Sequence, residues 1–423
     1  MLTRYIKETE LMEARNISAL CFNWSHDTND KTCEDYADHI KKNPHSKSDA
    51  YFNQTLAAFT DTGEMMSCIS ILPYEVTFDG KVVPMSGIGG VCTYPQHRRK
   101  GAVRECFKHG LRDMYNNGSA FSYLYPFSEQ FYGNFGYIPA CTSIQWCLDL
   151  NTIPEYKSKG TFSLYRPFKD YTEFEAVYKD YADKYNMMVH RDSYDWEVLK
   201  SADPFKGSRS AYLYKNAAGK AAGYLIFERK EDKDAVILEC KELIFDGFES
   251  LKALMAFAKT FSADYDKIRF HAPVTLCLDY FCEDYSQSSS YRSFNQNGMV
   301  RAINVHKLLE QANYQGSGII SLQVYDSILP ENDRIFTVTF TNGKATQVIS
   351  EASNTHTNEA DNYSAESLKK PDLEMTINQF SAAIIGKYQI SDLEYQKGIT
   401  LNCSKEKAAS LIFKKPCWIH NPF

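Results

Sequence analysis

Hydrophobic residues recur along the first 150 positions in an order that predicts alternating helices and strands. Leu11, Ile17 and Leu20 fall at near-helical spacing, and Ile69 and Ile71 alternate as residues of a strand do. The pattern predicts, in chain order, helices at 8–22 and 33–42, strands at 51–60 and 65–74, a hairpin at 76–83 turning at Asp79-Gly80, a strand at 86–94, a helix at 101–115, a strand at 121–125, a short helix capped by Ser128, and a strand at 143–150.

Two further units follow the first. Residues 152–285 repeat its order more loosely, which suggests a divergent duplication, and the polar, serine-rich stretch 286–298 predicts a linker or exposed loop. A third unit begins at Met299. The predicted domains are therefore 1–151, 152–292 and 293–423. The elements predicted in the last two are strands at 211–214, 223–228, 236–243 and 268–271 with a helix at 248–261, then strands at 335–340, 345–349 and 373–377 with helices at 305–312, 379–385 and 405–413.

Composition narrows the class of protein. The 423 residues are 43% hydrophobic and 24% charged, as in globular chains. A net charge of −6 argues against a nucleic-acid-binding protein. The start of the chain lacks the apolar region of a secretory signal, and no apolar run reaches membrane-spanning length, so we expect a cytoplasmic protein without a membrane partner. The 12 cysteines show no zinc-ligand spacing, which predicts reduced core thiols and no metal.

The segment 87–104 carries the clearest chemistry. Three cations, Arg98-Arg99-Lys100, follow a glycine-interrupted strand, Gly101 opens a helix, and Arg104 lies in its first turn. Backbone N–H groups at a helix start and charged side chains together bind phosphates, so this loop predicts a pyrophosphate site. A solvated basic loop is the alternative. The sequence contains neither a complete G-x-G-x-x-G nor a P-loop motif.

Arg98-Arg99-Lys100-Gly101-Ala102 resembles the [QR]-x-x-G-x-[GA] loop of the GNAT superfamily of N-acyltransferases, with Val103 departing from the last position. Phe127-Ser128-x-x-Phe131-Tyr132-Gly133-x-Phe135-Gly136-Tyr137, the stretch Met299–Val305 and the apolar end at Phe423 narrow the resemblance to Eis-like acetyltransferases. The resemblance implies an α/β (α+β) fold with tandem GNAT domains and a final sterol-carrier-protein-like domain. The second GNAT domain is degenerate, because no basic loop follows its strand near Leu243.

The resemblance also implies a reaction. Acetyl-CoA would donate its acetyl group directly to a primary amine of a cationic acceptor, such as an aminoglycoside-like molecule or a lysine-bearing peptide, and the protein would be a homohexamer. The implied cofactor-binding residues are the strand residues Val91, Cys92 and Thr93, the loop residues Arg99, Lys100, Gly101, Ala102, Val103 and Arg104, and Phe127 and Ser128 across from them.

Two catalytic groups are implied in the same way. Tyr132 would be the general acid toward the CoA thiolate, since a phenol with a pKa of about 10 is protonated at neutral pH. The α-carboxylate of Phe423 would be the general base, although its usual pKa of roughly 3.3–3.7 requires burial or a relaying water. The alternatives are that Tyr132 only packs in the core and that the Phe423 side chain only fills a hydrophobic core. Tyr94 is a weaker rival acid and His420 a rival base.

The acceptor pocket is less well specified by sequence. Trp24, His26, Asp27 and Asp30 follow the first helix, where GNAT proteins often place acceptor-binding residues, although a solvated loop would also suit them. Two other functions fit parts of the sequence: a lipid or small-molecule carrier that uses the third unit, and an acyl-CoA sensor without transfer activity.

Overall fold

A computed structural model describes residues 1–25, 35, 38, 53–167, 169–207, 209–232, 235–278, 281–282, 290–352 and 370–421. None of the helices in these ranges is long and apolar enough to cross a membrane. The strands are β1 (Leu2–Tyr5), β2 (Thr55–Phe59), β3 (Met65–Phe78), β4 (Lys81–Thr93), β5 (Phe121–Leu124), β6 (Ile138–Asp149), β7 (Thr161–Leu164), β8 (Val189–His190), β9 (Arg209–Lys215), β10 (Ala221–Asp232), β11 (Ala235–Phe245), β12 (Lys267–Pro273), β13 (Tyr291–Ala302), β14 (Gly318–Tyr325), β15 (Arg334–Thr341), β16 (Lys344–Ala352), β17 (Leu373–Thr376) and β18 (Ile399–Leu401).

The helices alternate with these strands, and two compact units contain them. Unit 1 holds Met1–Ala140 and Gly298–Lys415, and unit 2 holds Cys141–Asn297 and Pro416–Asn421. The helices are α1 (Leu11–Phe22), α2 (Ala102–Asn116), α3 (Glu129–Gly133), α4 (Thr172–Ala182), α5 (Glu197–Lys200), α6 (Phe248–Lys259), α7 (Val305–Gln311), α8 (Ile377–Ile384) and α9 (Lys405–Ala409).

Two sheets form unit 1. In the first, β1 to β5 lie in chain order, all antiparallel except the parallel pair β4–β5, and the end of β13 pairs with β5. In the second, the order is β16-β15-β14-β17-β18. The predicted hairpin is confirmed, since Asp79 and Gly80 turn β3 into β4 with φ angles of 49° and 79°. Helix α2 packs on the first sheet through Cys106, Phe107 and Leu111, all fully buried.

A buried ion pair joins the two sheets of unit 1. Arg301 on β13 donates through Nη2 to both carboxylate oxygens of Asp326, at 3.0 and 2.8 Å, and both side chains are buried. Asp326 also accepts from Asn332 Nδ2 at 3.1 Å and from the backbone N–H groups of Ile328 and Leu329. This carboxylate therefore shapes the turn that follows β14.

Unit 2 is built on one sheet in the order β6-β12-β11-β10-β9-β7. Strands β11 and β12 are parallel, because α6 crosses over between them. Alternate residues of β10 point to opposite faces: Leu225 packs with α6, and Ile226 packs with α4 and Trp418. Trp418 belongs to Pro416–Asn421, which we call the closing segment. A distant part of the chain thus completes this core.

Several sequence predictions need correction. Residues 291–298 are not a linker but the first part of β13, where backbone pairing holds a strand whose side chains are mostly exposed. The last helix ends at Ala409 rather than 413. Strand β14 and helix α4 were not predicted. The predicted helix at 33–42 lies outside the described residues apart from positions 35 and 38. The second unit's strand–helix crossover, by contrast, is confirmed by β11, α6 and β12.

Candidate functional site

Strand β4 leaves its neighbour half-way along its length. Its residues Met85–Ile88 pair with β5, but β5 ends at Leu124, so among the described strands Gly89–Thr93 pair only with β3. A β-bulge lies at this point, since Gly90 and Val91 of β4 face the single residue Ile69 of β3, and Gly90 has a φ of 56°. Backbone groups on this edge of β4 are therefore available to an extended ligand.

The basic loop follows directly. Pro95–His97 form a 3-10 turn, and Arg99 and Gly101 both have positive φ, 64° and 85°, which curls the chain into the start of α2. Such a curl directs successive N–H groups toward one point and favours an anion there. Arg98, Arg99 and Arg104 are exposed and form no ion pair with any residue that the structure describes. Their charge is thus directed at solvent.

One cleft of about 1300 Å³ lies between the loop and helix α3. It brings together nearly all of the predicted cofactor-binding residues. Its lining consists of Val91, Cys92, Thr93, Arg99, Lys100, Gly101, Ala102, Val103, Arg104 and Phe127, as predicted, with Cys21, Phe22, His97, Arg98, Lys108, Phe131, Asn134, Phe135, Ser327 and Ile328.

Ser128 is placed differently. It caps α3, with its Oγ accepting from the Phe131 N–H at 3.3 Å, and it is not in the described lining of the cleft. Its neighbour Phe127 is 72% exposed and stands at the cleft wall. The cap holds the first turn of α3 in place, and that turn carries Phe131 and Tyr132.

Tyr132 is buried among aromatic rings beside the cleft. Its ring centroid lies 5.2 Å from that of Phe127, 5.1 Å from Phe131 and 5.8 Å from Phe107. Burial raises the pKa of its phenol, and the described part of the chain offers the hydroxyl no hydrogen-bond partner. Tyr132 therefore stays protonated at neutral pH, and its hydroxyl proton is not donated to any described residue.

The rival tyrosine Tyr94, the motif residue Tyr137 and His97 each form a hydrogen bond with another side chain. Tyr94 donates to Glu13 Oε1 at 2.6 Å, and Tyr137 shares a 2.7 Å hydrogen bond with Ser122 deep in the core. His97 Nε2 lies 2.9 Å from Glu64 Oε1, which braces the loop. Of these three, only His97 lines the cleft.

Models of known families match three segments of the chain. Residues 3–140 and residues 187–302 each match an acetyltransferase (GNAT) domain, and residues 305–420 match a sterol carrier protein domain. N-acetyltransferase Eis of Mycobacterium tuberculosis is 26% identical over 144 residues, which are 32% of this chain and 36% of that protein. The chain thus aligns with little more than a third of this relative.

Solved structures extend the similarity in fold to the whole chain. Eis1 of Mycobacterium abscessus superposes with a TM-score of 0.77 at 16% identity, covering 100% of both chains. A GCN5-related N-acetyltransferase of Anabaena variabilis superposes with a TM-score of 0.81 at 20% identity, again over 100% of both. The chain therefore contains two GNAT domains, and its fold is similar to that of Eis1. Its fold class, two GNAT domains followed by a sterol carrier protein domain, is the one predicted from the sequence.

The first GNAT domain has a second pocket of about 530 Å³, which Gly89 and Gly90 of β4 line. Trp24, predicted as an acceptor residue, lines it, and the Arg15 guanidinium lies 5.1 Å from the Trp24 ring centroid. Phe22 lines both pockets. Gly90 lines the smaller pocket and Val91 lines the cleft, so both cavities reach the β4 bulge. His26, Asp27 and Asp30 lie outside the described residues.

The structure describes the end of the chain as far as Asn421. The predicted base Phe423 therefore lies outside the described residues. The rival base His420 is half-buried, and its Nε2 donates to the Lys241 carbonyl at 2.6 Å. Burial lowers the pKa of its imidazole. The closing segment also contacts Arg191, whose Nε donates to Asn421 Oδ1 at 2.9 Å.

The sequence analysis did not identify some of the residues that line the larger cleft. Ser327 and Ile328 come from the turn after β14, about 200 positions beyond the rest, and no local motif marks them. Asn134 and Phe135 sit inside the quoted Phe127–Tyr137 motif, so that motif could have identified them. In the second GNAT domain, residues 244–248 between β11 and α6 contain no cation. Among the described residues, no cluster of His, Cys, Asp and Glu is suited to a metal ion.

Proposed function

We propose that the protein is an acetyl-CoA-dependent N-acetyltransferase and that its first GNAT domain, within the predicted range 1–151, is catalytic. The supporting observation is the single cleft where the open edge of β4 meets the basic loop. An extended thiol-bearing cofactor with a pyrophosphate matches both features, because one offers unpaired backbone groups and the other offers cations at a helix start.

In this proposal the cofactor lies along β4. Val91, Cys92 and Thr93 hydrogen-bond through their backbone to the pantetheine arm and polarise the thioester carbonyl at the bulge. The curled loop from Arg99 to Arg104 holds the pyrophosphate. Phe127 covers the cofactor from the opposite wall, while Ser128 acts through the helix cap that positions its neighbours.

Acetyl transfer then requires two proton movements. The acceptor amine attacks as the neutral base, so its proton goes to a general base, for which we propose the α-carboxylate of Phe423 on the family resemblance. The leaving thiolate takes a proton from Tyr132. Burial supports this role, since it raises the pKa of Tyr132 and keeps the phenol a proton donor throughout the neutral range.

The acceptor would enter through the pocket lined by Trp24. Its partly exposed indole, beside which the Arg15 guanidinium already lies, would contact the apolar part of an amine-bearing acceptor. An aminoglycoside-like molecule or a lysine-bearing peptide remains the acceptor class predicted from the resemblance. The second GNAT domain would not bind CoA, because it lacks the basic loop. Cytoplasmic location and a homohexamer remain predictions.

A thiol-release assay with acetyl-CoA tests the proposal, using polyamines, aminoglycosides and lysine peptides as acceptors. We expect Arg99→Ala/Arg104→Ala to raise the KM for acetyl-CoA at least tenfold, since hydrogen bonds to charged groups are worth about 1.5–3 kcal/mol each. The control Arg229→Ala/Lys230→Ala removes two cations from unit 2 and should leave that KM unchanged. An equal KM in both variants would count against the assigned cofactor site.

The catalytic roles need separate variants. Tyr132→Phe should lower kcat at least tenfold with little change in either KM, and one glycine added after Phe423 should do the same. With wild type, kcat should not fall through ionisation of Tyr132 below a pH of about 10. Tight acetyl-CoA binding without thiol release by any acceptor would favour an acyl-CoA sensor.

A further inference from the structure

Two cysteines far apart in sequence come together in unit 2. Cys141 lies on β6 and Cys417 lies in the closing segment, 276 positions later, with their Sγ atoms 2.9 Å apart. A disulfide has an S–S length of about 2.05 Å. The two sulfurs are therefore not bonded, but an approach of roughly 0.9 Å would join them.

Backbone contacts hold Cys417 in this position. On one side of it, the Asn186 N–H donates to the Pro416 carbonyl at 2.8 Å, and on the other the Trp418 N–H donates to the Asn186 carbonyl at 2.9 Å. The Trp418 ring is buried in the core of unit 2. Because both neighbours of Cys417 are fixed, closing the last gap between the sulfurs requires little additional ordering.

The pair also differs from the other close thiols of the chain. Cys68 and Cys92 face each other across β3 and β4 with their sulfurs 3.3 Å apart, but both are buried, and the hydrogen bond from Cys92 together with burial raises the pKa of Cys68. Cys417 is only partly buried, whereas its partner Cys141 is 1% exposed. An oxidant in solution can reach Cys417 and finds a second thiol directly behind it.

We propose that Cys141 and Cys417 form a peroxide-sensitive disulfide that fastens the closing segment to β6. The Cys417 thiolate attacks one peroxide oxygen and breaks the O–O bond, which gives a sulfenic acid and, after protonation, water. The Cys141 thiolate then attacks the Cys417 sulfur and displaces hydroxide, which leaves as a second water once protonated. The two sulfurs lose two electrons in total, and the peroxide gains them.

The proposed disulfide does not require that the protein be an acetyltransferase. It acts on a segment that hydrogen bonds and packing hold in the reduced state: Asn297 Nδ2 donates to the Ile419 carbonyl, and Arg191 binds Asn421. Oxidation adds a covalent tie across a loop of 276 residues, which removes freedom from the unfolded chain. The oxidised protein should therefore resist unfolding of unit 2 more than the reduced protein does.

The test uses the full chain in its folded state. Hydrogen peroxide is added, remaining thiols are blocked with N-ethylmaleimide, and unreduced peptides are mapped by mass spectrometry. We expect one cross-linked peptide pair containing Cys141 and Cys417, lighter by two hydrogens, which dithiothreitol separates. The urea midpoint followed by tryptophan fluorescence should rise on oxidation and return on reduction.

Two variants sharpen the result. Cys417→Ser should lose both the cross-link and the oxidation-dependent midpoint shift, whereas Cys403→Ser, which removes a comparably exposed thiol in unit 1, should keep both. If Cys417→Ser does not fold, the mapping of the wild-type chain decides alone. Recovery of Cys417 as a sulfinic acid without the cross-link would overturn the proposal. So would a Cys68–Cys92 cross-link that forms at the same rate.

Discussion

Removing the Asp326 carboxylate tests the buried ion pair of unit 1. In Asp326→Ala the Arg301 guanidinium stays fully buried without its counter-ion, and its Nε and Nη1 already have no hydrogen-bond partner among the described residues. Breaking one side of a buried pair costs about 3–5 kcal/mol. The variant also leaves the backbone N–H groups of Ile328 and Leu329 without their acceptor.

The expected loss in the free energy of unfolding is therefore about 4 kcal/mol. Urea unfolding followed by circular dichroism measures it, and hydrogen exchange of peptides from β5 and β13 assigns it to unit 1. The exposed pair Lys405–Glu394 provides the control, since Glu394→Ala should leave the urea midpoint nearly unchanged. Because Ser327 and Ile328 line the cleft, the KM for acetyl-CoA should rise as well.

A double substitution separates charge from packing. Arg301→Met/Asp326→Leu removes both charges and keeps apolar volume, so it should recover most of the loss seen in Asp326→Ala. The reasoning is refuted if Asp326→Ala costs under about 1 kcal/mol, or if the double variant is no more stable than Asp326→Ala. Either result would mean that solvent or a shifted side chain compensates Arg301.

Gly136→Ala should destabilise unit 1 by at least about 2 kcal/mol, because Gly136 has a φ of 85° and an added Cβ would lie 1.8 Å from Arg301 Nη1. Gly133→Ala is the matched control, because a Cβ added at Gly133 would have no neighbour within 4 Å. Equal thermal midpoints for Gly136→Ala and Gly133→Ala would contradict the predicted destabilisation. Burial, assisted by the Arg191 guanidinium, lowers the pKa of His420. As the pH falls below about 6.5, His420 is protonated in the unfolded chain before it is protonated in the folded chain. The free energy of unfolding of unit 2 should therefore fall by up to about 1.4 kcal/mol per pH unit from this group. His420→Gln should flatten that dependence between pH 7.5 and 5.5, and an unchanged slope would argue against it.

Short stretches of sequence were sufficient to predict the conformation of the basic loop and of the β3–β4 turn. The run Arg98–Gly101 needs only its own residue types to form a curled basic loop, and the Asp79-Gly80 turn needs only its two positive φ angles. The resemblance supplied the domain order. The conformations of the turn and of the loop depend on physics that acts over a few neighbouring residues, whereas the loop's role in binding a cofactor stays a prediction.

Long-range contacts could not be predicted in the same way. The pairing of Arg301 with Asp326 depends on how β13 and β14 are placed, and nothing in either segment's pattern specifies it. The polar first part of β13 resembled a linker, because its stability comes from backbone pairing rather than from buried side chains. The contact between Cys141 and Cys417 spans most of the chain and has no local signature.

The discontinuity of unit 2 has a consequence for biosynthesis. Its core needs Trp418, yet the ribosome makes residues 298–415 between Asn297 and the closing segment. The core between the sheet and α4 therefore lacks Trp418 while residues 298–415 are synthesised. Domains generally fold as they emerge, so this interval exposes apolar surface that a chaperone would be expected to shield.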